Sequence, residues 1–328
     1  MKTKKLTFKD ILAILPEYAC VGVLILMLLL GFLNPEIFFS SANLMNIMKQ
    51  GAVLTILAIG MGFVLISGCI DLTVGINMAI SALLAVTLQT KYGAVAAVLT
   101  AIAVCIVISI INMGIVYITK ARAMEIMMLT FSLKMVYRGI AQAISGNKSF
   151  RTTECADWFL ALAKGSTLGF PNLMWFMLLV AVILGIVLSK MKFGRQVTLV
   201  GINPEASRLA GISVQKVRFI CFIISGLCAG IAGVLLAART GTVKALSGDN
   251  YEMDAVCGLV IGGYSMAGGF GSTWRAVVGV YAYTVMKNLM DLMGLDAYTQ
   301  TIVQGAVLVG AVALDVYLRE KRAGGKSK

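Results

Sequence analysis

Residues 93–119 read GAVAAVLTAIAVCIVISIINMGIVYIT, and this stretch decides the fold class. It contains no Asp, Glu, Lys or Arg. A helix that crosses the hydrocarbon core of a bilayer, about 30 Å thick, needs about 20 mostly apolar residues. The stretch is therefore predicted to be a membrane-spanning helix.

Apolar runs of this kind recur along the whole chain. Of its 328 residues, 59% are hydrophobic and 13% are charged, whereas a soluble domain has about 25% charged residues. The predicted spans are 18–33, 51–67, 73–90, 93–119, 124–144, 172–189, 217–238, 252–264, 275–290 and 300–318. We therefore predict an all-α fold, a polytopic transmembrane helical bundle of about ten spans with short or broken helices. The run 252–264 is short and glycine-rich, which suits a half-helix or a re-entrant segment.

Basic residues gather in four segments between and beyond the predicted spans, with Arg218 at the very start of the span 217–238. These segments contain Lys2, Lys4, Lys5 and Lys9; Lys120 and Arg122; Lys190, Lys192, Arg195, Arg208, Lys216 and Arg218; and Arg319, Lys321, Arg322, Lys326 and Lys328. Lys and Arg concentrate in cytoplasmic loops of membrane proteins. With ten spans all four segments fall on one side, which predicts that both termini are cytoplasmic. The predicted organisation is a cytoplasmic segment 1–17, a transmembrane domain 18–318 with a cytoplasmic loop at about 190–216, and a basic tail 319–328.

Composition argues against several classes of protein. The chain has no His, and the spacing of its seven Cys residues matches no metal site, so we expect no catalytic, cofactor or metal site. Most of the Lys and Arg residues behind the net charge of +13 lie between and beyond the spans. A nucleic-acid-binding protein would instead cluster its basic residues on one water-exposed face.

Two glycine-rich segments interrupt the apolar runs. The first, Ile66-Ser-Gly-Cys-Ile-Asp-Leu-Thr-Val-Gly75, places a carboxylate between two runs. It is either a short cytoplasmic turn, with Asp71 solvated or capping a helix and Thr73 able to cap the next one, or a broken helix at the cytoplasmic mouth of a pathway. The second, residues 262–272, is predicted to be a tightly packed turn near the cytoplasmic face, or a hinge. The candidate residues are Gly68, Asp71, Gly75, Gly262, Gly263, Gly268 and Gly269.

A third segment, residues 193–212, is polar and lies between two spans. Asn203 is suited to cap a short helix that begins at Pro204, with Glu205 in its first turn, and Gly211 is suited to end it. Such a helix is either a surface turn or a rigid element that presses into a partner protein. The candidate partner-contact residues are Asn203, Pro204, Glu205, Ala206, Arg208 and Gly211.

Four amide side chains lie inside predicted spans, namely Asn77, Asn112, Gln142 and Asn288. Amides that face lipid are unsatisfied. These residues are therefore expected either to bond between helices or to line a pathway.

Taken together, these segments closely resemble a known family, the sugar permeases of bacterial ATP-binding-cassette importers. Residues 203–212 are similar to the family's Asn-Pro-Glu-Ala-Ala-Arg-Leu-Ser-Gly-Ile, and residues 67–75 to its Gly-Gly-Ile-Asp-Leu-Ser-Val-Gly. Tyr251-Glu-Met-Asp254, the block 262–271, and Arg138-Gly139 through Ser145-Gly146 also resemble the family's motifs. One departure is Ala123-Met-Glu125, where the family usually has a Pro-containing stretch.

The resemblance implies a permease subunit in the bacterial cell membrane that moves a small polar solute, expected to be a monosaccharide. The sequence has no phosphate-binding loop of the Gly-Lys-Ser/Thr kind, so a separate cytoplasmic ATPase subunit would bind ATP and Mg²⁺. The other implied partners are an extracytoplasmic solute-binding protein and a second permease copy or paralogue, with helix 204–211 as the element that couples to the ATPase. The chain itself would not be an enzyme.

Two other transport functions remain open on the residues alone. A secondary transporter usually carries ionisable residues for its coupling ion, and the clear span interiors contain little beyond Lys134, Arg138 and Asp254. A channel is opposed only by the family resemblance. The solute itself is not specified.

Overall fold

The computed structural model describes residues 21–25 and 28–324. The predicted first span, 18–33, is therefore described in part, with helical backbone at 21–25 and 28–30 and a 3₁₀ turn at Gly31–Leu33. The basic residues at the N-terminus and the last two lysines lie outside the described residues.

The described part of the chain is almost entirely helical. Its α-helices in chain order are α1 Pro35–Phe38, α2 Ser41–Ile66, α3 Val74–Thr87, α4 Gln89–Tyr92, α5 Ala94–Thr119, α6 Ala123–Ser145, α7 Asp157–Lys164, α8 Asn172–Lys190, α9 Lys192–Ile202, α10 Pro204–Leu209, α11 Val214–Thr240, α12 Tyr251–Ile261, α13 Thr273–Leu292 and α14 Ala297–Gly324. Of the described helices, four are long and apolar enough to cross a bilayer alone, namely α2, α5, α8 and α11. The prediction of an all-α, polytopic membrane bundle is confirmed.

The predicted boundaries hold for most spans, and α2 is the main exception. It begins at Ser41, about one-third of its length before the predicted start at residue 51. The Ser40 hydroxyl caps this helix by accepting a hydrogen bond from the Asn43 N–H at 3.3 Å. The first turns of α2 carry the amides of Asn43 and Asn46 and the charge of Lys49, which hid them from a search for apolar runs.

The predicted span at 252–264 is too short to cross a bilayer alone. Helix α12 has 11 residues, which at 1.5 Å per residue gives about 16 Å, and it is a half-helix, as its short glycine-rich run suggested. Helix α3 has 14 residues, but Leu88 keeps the right-handed helical conformation and joins α3 to α4, so that the helical path reaches Tyr92. Irregular backbone precedes both α3 and α12, at 67–73 and 244–250.

The two long helices α2 and α11 form the centre of the bundle and pack against each other and against α3. They run in opposite directions, because α2 ends beside α9 and α10, and α11 begins there. Small residues allow the contact. A Cβ at Gly60 would lie 2.5 Å from the Cβ of Cys228, so the backbones of α2 and α11 approach closely.

The end of the bundle opposite α10 carries small elements that the sequence did not predict. Strand β1, Phe150–Arg151, pairs antiparallel with β4, Thr242–Val243, and β2, Ser166–Thr167, pairs with β3, Phe170–Pro171. Helix α7 lies between β1 and β2 in the chain. These elements close the bundle on the side where α11 ends.

Candidate functional site

The helix expected at 204–211 is present as α10, Pro204–Leu209. The Asn203 side-chain oxygen Oδ1 accepts a hydrogen bond from the Ala206 N–H at 3.0 Å, so Asn203 is the predicted cap. Gly211 has φ +80°, a conformation that favours glycine, and the Ile212 N–H closes the turn onto the Ser207 carbonyl at 2.9 Å. The predicted capping at both ends is therefore confirmed.

Most of α10 is exposed. Glu205 and Arg208 form an ion pair at 2.7 Å on its outer surface, and the side chain of Leu209 is 86% exposed. Only Ser207 is buried within α10. This small residue packs against the chain itself.

The segment before α10 is a second helix rather than the polar loop that the sequence suggested. Helix α9, Lys192–Ile202, buries Gly194, Val197 and Val200 and exposes its charged residues. The apolar positions recur every three residues, which gives the helix one buried face. Helix α9 therefore fixes α10 to the bundle.

The tip of α9 meets two other segments through glycine. A Cβ at Gly201 would collide with the Ile66 carbonyl and with the Gly269 backbone. The Gly269 N–H donates to the Ile66 carbonyl at 2.8 Å, and a Cβ at Gly268 would come within 2.6 Å of the Gly68 Cα. We call Gly68, Gly201, Gly268 and Gly269 the glycine junction.

Three of the predicted glycines thus come together, and Gly201 is a member that sequence reasoning missed. The other candidates lie elsewhere. Gly262 packs against the Arg275 carbonyl at the start of α13, and Gly263 follows it with φ +80°. Gly75 lies in the first turn of α3, away from the junction.

Asp71 is fully buried, so the expectation that it could be solvated is wrong. Its Oδ1 accepts hydrogen bonds from the Thr73 N–H at 2.9 Å and from the Thr73 hydroxyl at 2.6 Å. Within the described residues Oδ2 has no partner. Thr73 was expected to cap α3, but its side chain makes no capping hydrogen bond. Its hydroxyl instead donates to Asp71 and accepts from the Asn112 amide at 3.0 Å.

Helices α3 and α12 meet at their N-termini. Gly75 of α3 lies against the carbonyl of Gly248, 2.7 Å from where a Cβ would stand, and against the carboxylate of Glu252 in α12. Glu252 also pairs with Lys134 of α6. Lys134 reaches Asp249 at 3.4 Å, and Arg138 reaches Asp249 at 3.2 Å. We call Lys134, Arg138, Asp249 and Glu252 the central quartet.

A second charged network lies on the other side of α12. Asp254 accepts hydrogen bonds from the Tyr283 hydroxyl at 2.5 Å and from the Gln304 amide at 2.9 Å. Its other oxygen pairs with Lys287 at 3.0 Å. Three helices, α12, α13 and α14, are joined by this one carboxylate.

The four amides predicted inside spans behave differently from one another. Asn112 bonds Thr73 and accepts from the Tyr137 hydroxyl at 2.7 Å, and Asn288 exchanges hydrogen bonds with Asn43 at 2.7 and 3.0 Å. These are helix–helix contacts. Gln142 makes only a 3.4 Å contact with Asn147, while the amide of Asn77 is fully buried and has no partner in the described part of the chain.

Two comparisons with known proteins identify the family of this chain. A family model described as the permease component of branched-chain amino acid transport systems matches residues 43–312. The ribose import permease protein of Escherichia coli K12 is 31% identical over 305 residues, which is 92% of this chain and 94% of that protein. The chain belongs to this permease family.

Other relatives of the permease are also named for the transport of sugars. The ribose import permease protein of Haemophilus influenzae is 28% identical over 98% of this chain and 99% of its own length, and the D-allose transport system permease protein of Escherichia coli K12 is 31% identical over 89% and 88%. No solved structure matches the permease. The resemblance to bacterial sugar permeases is therefore confirmed.

The structure adds features that the sequence pattern did not reveal. Lys134 and Arg138 were visible as charges inside a span, four residues apart and so on one face of a helix. Their partners were not visible, because Asp249 and Glu252 lie more than 100 positions further along the chain. Ala123-Met-Glu125, where the sequence departs from the family's Pro-containing stretch, forms the first turn of α6. There the Glu125 carboxylate accepts a hydrogen bond from the Arg122 N–H at 2.7 Å and caps the helix.

Proposed function

We propose that this permease is the membrane-spanning subunit of an ATP-binding-cassette importer that translocates a monosaccharide. The observation that carries the proposal is similarity over nearly the whole chain to permeases named for ribose and allose import. A permease for L-arabinose is also similar, at 32% identity over 59% of the chain. The relatives thus share the sugar class and differ in the sugar.

The partners of the permease follow from this function. A separate cytoplasmic subunit hydrolyses ATP and binds its Mg²⁺, an extracytoplasmic solute-binding protein delivers the sugar, and a second permease copy or paralogue completes the pathway. The absence of a phosphate-binding loop in the sequence supports the first of these. Two exposed ends of the bundle, one formed by α10 and one by β1–β4, offer surfaces for the ATPase and the binding protein.

We propose that the α10 end of the permease is cytoplasmic, in the cell membrane of a bacterium, with both termini on that side. The basic residues of α9 and α10 support this orientation, because Lys and Arg concentrate in cytoplasmic loops. Labelling an introduced cysteine at position 209, which is exposed, with an impermeant reagent tests it. Labelling from inside-out vesicles supports the orientation, and labelling from outside intact cells overturns it.

We further propose that α10 is the element on which the ATPase docks. Its support is structural. The helix is capped at both ends, exposes the Glu205–Arg208 pair and Leu209, and is fixed by α9 to the glycine junction. An exposed apolar side chain next to charged groups is typical of a protein contact surface. Movement of α10 would pass through Gly201 to the end of α2 and to the loop between α12 and α13.

The proposed function is tested by reconstitution of the permease with its ATPase in liposomes, with the binding protein supplied outside. Radiolabelled D-ribose, D-allose and L-arabinose are offered separately. Uptake of at least one sugar that requires internal ATP and persists with a protonophore supports the importer. Uptake without ATP that collapses with the protonophore indicates a secondary transporter, and passive equilibration indicates a channel.

A further inference from the structure

The central quartet lies where the chain is interrupted in the middle of the bundle. Helix α3 and half-helix α12 both begin there, each after a stretch of irregular backbone, with Gly75 against Gly248 and Glu252. In transporters, solute sites are typically built near the bilayer midplane by discontinuous helices whose ends face the solute. The arrangement here has that geometry.

The depth of the quartet follows from α6. Lys134 is eleven residues from Ala123 and eleven from Ser145, since 134 − 123 and 145 − 134 both equal 11. At 1.5 Å per residue it stands about 16 Å from each end. Arg138 is one turn further along the same face. Because α6 coincides with the predicted span 124–144, centring it in the bilayer places both cations at the depth of the hydrocarbon core.

Exposure within the quartet is graded. Glu252 is 1% exposed, Lys134 13%, Asp249 23% and Arg138 41%. Charged groups at this depth are kept away from lipid and face protein or water. The open edge of the quartet, formed by Arg138 and Asp249, is therefore expected to face protein or water rather than lipid.

The chemistry of this edge is that of a site for neutral hydroxyl groups. The quartet contains two cations and two carboxylates, so its net charge is zero. Its donors and acceptors lie side by side, with Arg138 and Asp249 at 3.2 Å, a spacing that suits a pair of neighbouring hydroxyls. A charged solute would leave one sign unbalanced in a region of low dielectric. Phe131 and Met135, exposed on the same side of α6, supply the apolar walls that such sites usually have.

We propose that the central quartet contacts the solute as it crosses the middle of the membrane, and that it sets selectivity among neutral polyhydroxylated solutes. Arg138 and Asp249 make the direct contacts. Lys134 and Glu252 are positioning residues that hold Asp249 and the start of α12. This inference rests on the proposed function of the permease.

A purely structural role would make the same ion pairs, so the test needs a readout that stability does not change. That readout is the ratio of uptake rates for D-ribose, D-allose and L-arabinose by one variant in the reconstituted importer. The matched control is Asp254→Asn, which removes a carboxylate from the same half-helix but on its other side, beside Lys287. The ATPase rate and the amount of inserted permease are measured in parallel.

Asp249→Asn is expected to lower uptake about 10-fold and to change the sugar ratio at least about 3-fold, because hydrogen-bonding sites discriminate strongly when one partner is lost. Arg138→Lys keeps the charge but loses the planar donor pair, and it should also change the ratio. It serves as the second variant if Asp249→Asn fails to insert. The control should keep the wild-type ratio.

The inference is overturned if the uptake rates of the three sugars fall in equal proportion in Asp249→Asn. It is also overturned if Arg138→Lys keeps the wild-type ratio of uptake rates. Either result would make the quartet a structural link between α6 and α12. A wild-type importer that hydrolyses ATP and takes up none of the three sugars would instead overturn the proposed function. The two failures are therefore separate.

Discussion

The glycine junction and the central quartet both join segments that are distant in the sequence, but they do so by opposite means. At the junction, backbone touches backbone, and Gly201 leaves no room for a side chain next to Ile66 and Gly269. At the quartet, flexible charged side chains span the gap between α6 and the start of α12. The first contact is rigid, and the second can exchange partners.

This difference suits the two contacts to different functions in the permease. Close-packed backbone transmits displacement because it cannot be compressed. An ion pair that is partly exposed, such as Arg138 with Asp249, contributes little stability and can exchange partners more easily than a buried one. The junction is thus suited to carry movement from α10, and the quartet is suited to open around a solute.

The largest expected effect comes from filling the junction. Gly201→Val places branched carbon atoms against the Ile66 carbonyl, which is backbone and cannot turn aside. We expect a loss of about 3 kcal/mol in stability, at the upper end for overpacking. Thermal unfolding of the purified permease measures it. Gly114→Ala in α5 is the control, because no described atom lies within 4 Å of a Cβ there; similar melting of both variants would contradict a rigid junction.

Gly75→Ala tests the contact between the starts of α3 and α12. The added methyl would press on the Gly248 carbonyl, at 2.7 Å, and on the Glu252 carboxylate. We expect about 2 kcal/mol of destabilisation, less than at the junction because the Glu252 side chain can shift. Gly139→Ala, at a helix position open on α6, should stabilise by about 0.5 kcal/mol. Equal effects of the two changes would show that Gly75 is not a contact point.

Gly211→Val acts on α10 through conformation rather than space. Gly211 has φ +80° with no described atom within 4 Å of a Cβ, so a branched side chain costs about 1–2 kcal/mol through its backbone alone. Gly211→Asn should cost less, because Asn tolerates this region. The measurement is co-purification of the ATPase with each variant. Weaker association with Val than with Asn is expected, and equal association would exclude a role for this turn.

Asn203→Ala should have the smallest effect. It removes the hydrogen bond to the Ala206 N–H, and loss of a helix cap costs about 1 kcal/mol. Hydrogen exchange of residues 204–209 should speed up, while exchange in α11 is unchanged. Asn203→Asp keeps an acceptor and should restore protection. Faster exchange throughout the permease would mean that the cap stabilises more than α10.

The sequence predicted the parts of this molecule that depend on local chemistry. The apolar runs located α5, α6, α8, α11 and α13 to within a few residues, and the capping residues located α10. Prediction stopped where distant segments meet. Nothing local marks Gly201 as a contact for Ile66, or Lys134 as a partner of Glu252. The polar start of α2 was missed for the same reason, since Asn43 is satisfied by Asn288 on α13.

The central claim is that the permease is driven from outside its own chain through α10. It is tested most directly by measuring sugar uptake and ATP hydrolysis in the same proteoliposomes, with wild-type permease and with the Glu205→Ala, Gly211→Val double variant. The claim predicts uptake tied to hydrolysis in the wild type. In the double variant it predicts normal insertion, with either no bound ATPase or hydrolysis without uptake. Wild-type ATPase binding and wild-type uptake in the double variant would contradict it.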